Sequence, residues 1–385
     1  MFSGLCAFPL TPLHQQDFDE KAFIRILARL TDAGVDSLGI LGSTGSYAYL
    51  SREQRRRVVQ VAKAHAGSIP MMVGVGAIAT NEVLRLVEDA QEAGADALLL
   101  PMMSYQPLSA EEIFAFYEEV CRHVSVPVCL YDNPRTTHVM LADELQGRIA
   151  ALPAIASIKI PGLPAPQASE RVAALRQHLP SRVTLGVSGD AWATAGLQAG
   201  CEAWYSVCGG LFPRCSLALV RAIRSGDVAQ TAALNEQLAP LWRCFDRYGG
   251  SLRVIASAAA MLGLCDPDSL PRPLLSLGEE ACREVASALR GLAYGGTISY
   301  VAFAKPFAEG FNLGREAHFN NAKIVFSRAC SEPNPDYPRW SRKRIEETCW
   351  ELLMNGYLNC EDLIDPVVTF ANSPESYMQY VDQHP

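Results

Sequence analysis

Short, continuous apolar runs alternate with longer amphipathic stretches over about the first 225 residues of the chain. Eight such runs occur, and each is followed by a segment with the spacing of an amphipathic helix. The runs are GLCAFPL (4–10), SLGILG (37–42), MMVGVG (71–76), ALLLP (97–101), VCLYD (128–132), IASIKI (155–160), TLGVSGD (184–190) and AWYSV (203–207). Because continuous apolar strands are buried on both faces, this pattern predicts a parallel sheet.

The number of strand–helix units indicates the fold class. Eight units over this length predict an α/β fold, a (β/α)8 TIM barrel, and an open doubly wound sheet is the alternative. Such a sheet usually has fewer strands, and its phosphate-binding loop is missing here. GVGAIA (74–79) resembles the glycine motif of that loop by its letters, but it follows the third strand and is better explained as a tight turn. Helix signals agree with the barrel: Ser51 begins an N-cap signature, and Gly34 and Gly94 stand where C-caps are expected.

Three further helical stretches follow the eighth unit, at about 227–247, 251–263 and 278–293. We expect them to form a helical layer, residues 226–293, that completes one domain with the barrel of residues 1–225. From about residue 294 the rhythm breaks, which predicts a domain boundary near Tyr294 and a small appended α/β segment, residues 294–385. In that segment GGTISYVAFAKPF (295–307) predicts a strand and a turn, residues 340–358 an amphipathic helix, and residues 361–381 a turn and another helix.

Composition and charge exclude several classes of function. The chain has 385 residues, a net charge of −8 and a pI near 5.5, and it has no basic run interleaved with aromatic residues, so we expect no nucleic-acid partner. No apolar window is long enough for a membrane span, so we expect a cytoplasmic protein without a membrane partner. The twelve cysteines are scattered without a C-x-x-C pair and the seven histidines are dispersed, so we expect reduced cysteines and no bound metal.

One lysine stands in an apolar strand. The chain has six lysines, and Lys159 alone is flanked by isoleucines, Ile158 and Ile160. An amine that loses hydration there is favoured in its neutral form, which is a nucleophile and can condense with a ketone to form a Schiff base. The alternative is a strand-end lysine whose stem packs while its amine reaches water.

Hydroxyl groups follow the ends of other predicted strands. Tyr131 ends the fifth strand, Ser43 and Thr44 follow the second in GSTGS, and Tyr105 follows the fourth. Because catalytic side chains of a barrel collect at the carboxyl ends of its strands, we expect these groups to converge with Lys159. Hydroxyls can relay protons, and the glycine-rich turn 42–45 can bind a carboxylate. Taken singly, Tyr131 is also explained as a core or rim aromatic and GSTGS as a plain turn.

Taken together, the motifs resemble a known enzyme family. GSTG (42–45), YQPLS (105–109), YDNP (131–134), SIK (157–159) and SGD (188–190) occur on successive predicted strands. In this order they resemble the dihydrodipicolinate synthase and N-acetylneuraminate lyase family of class I, Schiff-base-forming aldolases, over about residues 1–293.

The resemblance implies an activity and a set of site residues. Lys159 would form the imine with pyruvate or a related 2-oxo acid, so no separate cofactor is expected. Catalysis would also use Tyr131, which relays protons, and Ser43, which links two tyrosines. Tyr105 matches a tyrosine that a partner subunit lends, which implies a homodimer or homotetramer. The remaining matches are substrate-binding: Thr44 at the carboxylate grip, Tyr205 lining the imine pocket, and Arg135 near an arginine that binds the aldehyde's carboxylate.

The sequence departs from the family at several of these positions. Ser46 and Tyr47 follow the turn where glutamate is usual, and Arg135 is displaced by one position. The positions of the family's lysine-feedback site are also unusual, so we expect no such feedback. These departures favour cleavage or dehydration of a sugar acid or hydroxy-2-oxo acid. The alternative is condensation of pyruvate with aspartate semialdehyde, the lysine-precursor reaction of a 4-hydroxy-tetrahydrodipicolinate synthase.

Residues 294–385 resemble the C-terminal end of a medium-chain alcohol dehydrogenase or reductase. The glycine fingerprint and the catalytic half of such an enzyme are absent, and a last strand and helix cannot bind a dinucleotide unaided. We therefore expect a non-catalytic segment. An NAD(P)-linked oxidoreductase, or a binding protein that uses this segment, is the alternative from another class of function.

Overall fold

Eight parallel strands close into a barrel with helices around it, as the apolar runs predicted. The structure, a computed structural model, describes residues 1–290, 297–301 and 323–327. The strands of residues 1–290 are β1 (Gly4–Ala7), β2 (Leu13–His14), β3 (Asp17–Phe18), β4 (Ser37–Ile40), β5 (Met71–Gly74), β6 (Ala97–Pro101), β7 (Val128–Tyr131), β8 (Ile155–Pro161), β9 (Thr184–Ser188) and β10 (Ala203–Ser206). The barrel order is β1-β10-β9-β8-β7-β6-β5-β4, closed by pairing of β1 with β4, and β2 and β3 form a separate antiparallel hairpin. The closed barrel rules out the open doubly wound sheet.

Helices follow the barrel strands and continue beyond the last one. They are α1 (Glu20–Ala33), α2 (Arg52–His65), α3 (Thr80–Glu92), α4 (Ala110–Arg122), α5 (Pro134–Thr137), α6 (Asp143–Ala150), α7 (Ala165–His178), α8 (Ala193–Gln198), α9 (Pro213–Ser225), α10 (Val228–Arg247), α11 (Ser251–Met261) and α12 (Glu279–Arg290), with short 3₁₀ helices at Tyr47–Tyr49, Asp190–Trp192 and Cys208–Gly210. Helices α10 to α12 contact one another and account for the three stretches expected after the barrel.

Local sequence signals explain where several helices begin and end. Ser51 accepts from the Gln54 backbone N–H while the Gln54 side chain accepts from the Ser51 backbone, which forms a capping box at the start of α2. Gly34 ends α1 in the left-handed region, with a φ of 69° that glycine adopts without strain. GVGAIA forms the turn between β5 and α3 of the closed barrel, as expected from the sequence.

The core has two parts because side chains of a barrel strand alternate between its inside and its outside. One set packs between the barrel and the helices and includes Leu130, Ile158 and Ile160. The other, which we name the interior cluster, comprises Cys6, Phe8, Met72, Ala97, Leu99, Cys129, Tyr131, Ala203 and Tyr205. Alternation therefore explains the isoleucines beside Lys159, since they face the helices while the lysine faces the interior cluster.

Contacts divide the chain into two compact units, Met1–Ala293 and Tyr294–Pro385. Within the second unit the structure describes two strands, β11 (Thr297–Val301) and β12 (Lys323–Ser327), which pair in parallel. β11 lies in the stretch where a strand was expected. The helix expected at 340–358 and the turn and helix expected at 361–381 lie outside the described residues.

No helix among the described residues is long and apolar enough to cross a membrane.

Candidate active site

Lys159 lies inside the barrel, and its side chain is almost fully buried. It stands on β8 in register with Tyr131 of β7 and Gly186 of β9, and the residue is 5% exposed. Among the described residues it forms no ion pair. A lysine buried without a carboxylate is uncommon, because an ammonium loses its hydration without a compensating charge. This environment differs from that of a strand-end lysine whose amine reaches water.

Three aromatic rings surround the Lys159 amine. Its Nζ lies 3.8 Å from the ring centroid of Phe8, 4.6 Å from that of Tyr131 and 5.6 Å from that of Tyr205. The face of an aromatic ring attracts a cation, so the rings support an ammonium, and equally a protonated imine that replaces it.

The hydroxyl of Tyr131 is held by two neighbours. Its oxygen lies 3.2 Å from Ser43 Oγ and accepts a hydrogen bond of 2.8 Å from Asn133 Nδ2. Burial raises the pKa of this phenol, but the nearby Lys159 ammonium and the hydrogen bonds lower it by more, so the pKa of Tyr131 lies below its ordinary value. A phenol in this setting can exchange a proton with a group bound at Lys159.

Tyr205 presents its ring, rather than its hydroxyl, to the lysine. Its hydroxyl lies 2.7 Å from Ser157 Oγ, which in turn accepts a hydrogen bond of 2.9 Å from Thr184 Oγ1. Cys129 Sγ also donates to the Tyr205 hydroxyl, over 3.5 Å. Burial raises the pKa of Tyr205 well above its ordinary value, so the hydroxyl stays protonated and the network is neutral. The arrangement fixes the ring as part of the wall around Lys159.

The glycine-rich turn 42–45 follows β4 and places Ser43 against Tyr131. Thr44, beside it, is buried. The turn begins at Leu41, which has a positive φ of 56°, and a Cβ on Gly74 of the next strand would lie 2.0 Å from the Leu41 carbonyl oxygen. This close approach requires glycine at position 74 and packs the turn onto the end of β5.

Two residues expected in the site are exposed in the part of the chain that the structure describes. Tyr105 lies in the loop after β6 and is 87% exposed. Arg135 is exposed on α5, directly after the Tyr131 strand. Lys159, Tyr131, Ser43 and Tyr205 are thus brought together, Thr44 lies in the adjoining turn, and Tyr105 and Arg135 are exposed.

Some residues of the site were not expected from the sequence. Phe8 lies within the first apolar run and is expected there as a core residue, although its ring lies against the amine. Asn133 belongs to the YDNP motif and Ser157 to the SIK motif, but the sequence assigned no function to either. Their hydrogen bonds connect them to the site.

Asp190, in the SGD motif, has a structural role. Its carboxylate accepts hydrogen bonds from Trp204 Nε1, Ser206 Oγ and the Cys208 backbone N–H, at 2.8 to 3.0 Å. Burial raises its pKa to about 6, against these hydrogen bonds, which lower it. The aspartate therefore ties the end of β9 to β10 and the turn that follows.

An open cleft lies at the opposite, amino-terminal end of the barrel strands. Its lining includes Ser3, Cys201, Glu202 and Arg224 and none of the candidate site residues. In barrels this end serves stability rather than catalysis. Over the described residues, no three histidine, cysteine or carboxylate side chains form a group suited to a metal ion.

Comparisons with known proteins identify the family of the chain. Residues 1–292 match the model of the dihydrodipicolinate synthetase family. Curated 4-hydroxy-tetrahydrodipicolinate synthases from Phenylobacterium zucineum and Hyphomonas neptunium are 30% and 31% identical to the chain, over 75% and 76% of it and 97% and 99% of their own lengths.

Solved structures show the same similarity. A crystal structure of dihydrodipicolinate synthase from Agrobacterium tumefaciens is 41% identical with a TM-score of 0.73, covering 76% of this chain and 98% of the other. A putative dihydrodipicolinate synthetase from Pseudomonas aeruginosa is 28% identical with a TM-score of 0.71, covering 76% and 99%. The chain belongs to the dihydrodipicolinate synthetase family, and it is a lyase of the class I aldolase type.

Proposed function

We propose that Lys159 forms an imine with pyruvate or a related 2-oxo acid and that the chain makes or breaks a carbon–carbon bond next to that imine. The observation that carries the proposal is the buried Lys159 amine, which lies 4.6 Å from the ring of Tyr131 and has no ion-pair partner among the described residues. An amine in this position is available to a ketone and not engaged by a carboxylate.

The reaction balances without a further cofactor. The Lys159 nitrogen attacks the ketone carbon, the oxygen leaves as water, and a protonated imine remains. This imine accepts the electron pair released when a C3 proton is removed, which gives an enamine whose C3 attacks an aldehyde carbon. The aldehyde oxygen takes up a proton, and water then hydrolyses the product imine, which frees the product and Lys159; cleavage is the reverse. The iminium is the electron sink, so the residues of this chain suffice for the chemistry.

The neighbouring residues have separate roles in this proposal. Tyr131 exchanges the protons of imine formation and of C3, and Ser43 holds its hydroxyl. Thr44 and the turn 42–45 bind the substrate carboxylate, and Tyr205 forms part of the wall. Tyr105 and Arg135 are exposed, so we assign Tyr105 to the site of a second copy of the chain in a homodimer or homotetramer, and Arg135 to the outer part of the substrate.

We favour a sugar acid or a hydroxy-2-oxo acid as the larger substrate. The support is Ser46 and Tyr47 after the turn, together with the exposed, displaced Arg135. Condensation of pyruvate with aspartate semialdehyde is the second candidate, since the curated relatives carry the name 4-hydroxy-tetrahydrodipicolinate synthase.

A kinetic panel tests the proposal. Pyruvate release from sugar acids and hydroxy-2-oxo acids, and pyruvate consumption with aspartate semialdehyde and other aldehydes, are measured for the wild type, Lys159→Arg and Lys63→Arg. Lys63 is the control because it is a surface lysine paired with Asp96 at 3.1 Å. We expect at least one reaction that Lys159→Arg abolishes and Lys63→Arg retains. Turnover that survives in Lys159→Arg would refute the proposal.

A further inference from the structure

The ring of Phe8 closes one side of the space around the Lys159 amine. Phe8 directly follows β1, where its backbone N–H donates to the Ser206 carbonyl over 2.8 Å, and its side chain is 1% exposed. Its ring centroid lies 3.8 Å from Lys159 Nζ, which is van der Waals contact. No water or substrate atom fits between this ring and the nitrogen.

The Phe8 ring packs closely against the barrel backbone. A Cβ on Gly39 would lie 2.4 Å from Phe8 Cζ, and one on Gly42 would lie 2.4 Å from Phe8 Cδ1. The ring therefore rests directly against the backbone of β4 and of the turn 42–45. Tyr205 fixes its side by an edge contact, with ring centroids 6.1 Å apart and planes at 85°. Phe8 is a rigid wall, because a movement away from the amine meets backbone.

Resting on the proposed function, we propose that Phe8 is a specificity-determining residue that excludes 2-oxo acids branched at C3. In the imine the former ketone carbon is bonded to Nζ, so its two substituents, the carboxylate and C3, lie within a few bond lengths of the nitrogen. The face of an aromatic ring carries partial negative charge and disfavours a carboxylate. The carboxylate therefore turns away from the ring face toward Thr44, to which the proposed function assigns it, and C3 is the substituent placed beside that face.

Phe8 admits 2-oxo acids with one carbon substituent on C3 and excludes those with two. A single carbon on C3 can point toward the barrel mouth, in the direction from which the aldehyde carbon must come. A second carbon on C3 has to point elsewhere, and it meets the ring. The methyl of pyruvate and the linear chain of 2-oxobutanoate thus fit, whereas 3-methyl-2-oxobutanoate does not.

Borohydride trapping of the full chain tests this inference. The wild type, Phe8→Leu, Phe8→Ala and Phe23→Leu are each treated with borohydride and one of these three 2-oxo acids, and the trapped fraction is measured by mass spectrometry. Phe23 is the control because it is a fully buried phenylalanine on α1, outside the barrel. Phe8→Leu keeps the test usable if Phe8→Ala does not fold. Melting temperatures are recorded for all four proteins.

We expect the ratio of 3-methyl-2-oxobutanoate to pyruvate trapping to rise by about 10-fold or more in a Phe8 variant, the scale on which hydrophobic sites sense one extra carbon. Phe23→Leu should leave the ratio unchanged. An unchanged ratio in folded Phe8→Leu, or an equal rise in Phe23→Leu, would overturn the inference while the pyruvate adduct still supports the proposed function. Absence of a pyruvate adduct in the wild type would overturn both.

Discussion

At the scale of single residues, the phenol of Tyr131 joins the amine to the rest of the site. It lies beside Lys159 and forms hydrogen bonds with Ser43 and Asn133, and the pKa of its hydroxyl falls despite burial because the ammonium and these bonds outweigh desolvation. A buried tyrosine outside the site, Tyr117, has the opposite balance, since burial raises its pKa. The difference supports the proton-transfer role proposed for Tyr131.

Removal of this hydroxyl should therefore affect turnover and not the fold. Tyr131→Phe keeps the ring, so we expect kcat to fall by about 10²- to 10⁴-fold, the usual contribution of a positioned acid–base group. Tyr117→Phe is the matched control, because it removes a buried hydroxyl that donates to the Leu100 carbonyl on another part of the barrel. Steady-state kinetics on both variants would contradict the role of Tyr131 if the two lost activity equally.

The sequence alone identifies the reactive residues of the site better than the apolar residues that enclose it. Lys159 stands out because a charged residue interrupts an apolar strand, and the YDNP and GSTG motifs mark Tyr131 and Ser43. Phe8 cannot be identified in this way, because an apolar residue within an apolar run has the same pattern whether it packs in a core or against a reacting amine. Only the closed barrel, which brings the residue after β1 against Lys159 of β8, distinguishes the two.

At the scale of elements, the end of β7 is connected to α6 by a buried polar pair. Asp132 Oδ2 accepts from Gln146 Nε2 at 3.0 Å, and the same Nε2 donates to the Leu141 carbonyl. Asp132 Oδ1 and Gln146 Oε1 have no hydrogen-bond partner among the described residues. Burial raises the pKa of Asp132 to about 6, although Arg171 and the Gln146 hydrogen bond lower it in part.

This pair predicts a pH dependence of stability. A carboxyl whose pKa is higher in the folded state than in the unfolded state stabilises the fold below the unfolded pKa of 3.8, and this stability is lost as the pH rises through about 6. We expect the free energy of unfolding of the wild type to fall relative to Asp132→Asn between pH 4 and 6, by at most about 3 kcal/mol. Urea unfolding measures it.

The control for this experiment is Asp246→Asn, which removes an exposed carboxylate on α10. The pH-dependent change should be larger for Asp132→Asn than for this control. If the two variants change alike, the buried carboxyl does not titrate in the way proposed.

Sequence periodicity predicts the long helices and the barrel strands, and it misses the short elements. The eight barrel strands and the helices α1, α2 and α10 follow apolar spacing, caps and glycine stops. The hairpin of β2 and β3 and the four-residue helix α5 are too short to have a period of their own. Their positions depend on the turns beside them and on the path of the chain back to the barrel.

At the scale of the whole molecule, the exposed Tyr105 predicts that the site is completed by a second copy. A hybrid experiment tests this directly: Lys159→Ala and Tyr105→Phe chains with different tags are co-expressed, and the mixed oligomer is purified. If Tyr105 acts across an interface, the mixed oligomer contains sites with an intact Lys159 and an intact Tyr105, so it regains activity that both parent variants lack. A mixed oligomer as inactive as its parents would show that Tyr105 serves its own chain or none.

The second compact unit, Tyr294–Pro385, should take no part in the chemistry. All residues assigned to the site lie before residue 206, and the segment lacks the glycine fingerprint of a dinucleotide site. Titration of the full chain and of a chain ending at Ala293 with NAD(H) and NADP(H) should show no binding to either. Binding to the full chain alone would contradict the expected non-catalytic role.

The central claim is that one particular nitrogen, Lys159 Nζ, bonds to the substrate. Its most direct test is a peptide map of the full chain after treatment with pyruvate and borohydride. We predict the mass of one reduced pyruvate on the peptide that contains Lys159, and none on peptides that contain the other five lysines. An adduct on another lysine, or a folded protein with no adduct, would contradict the account.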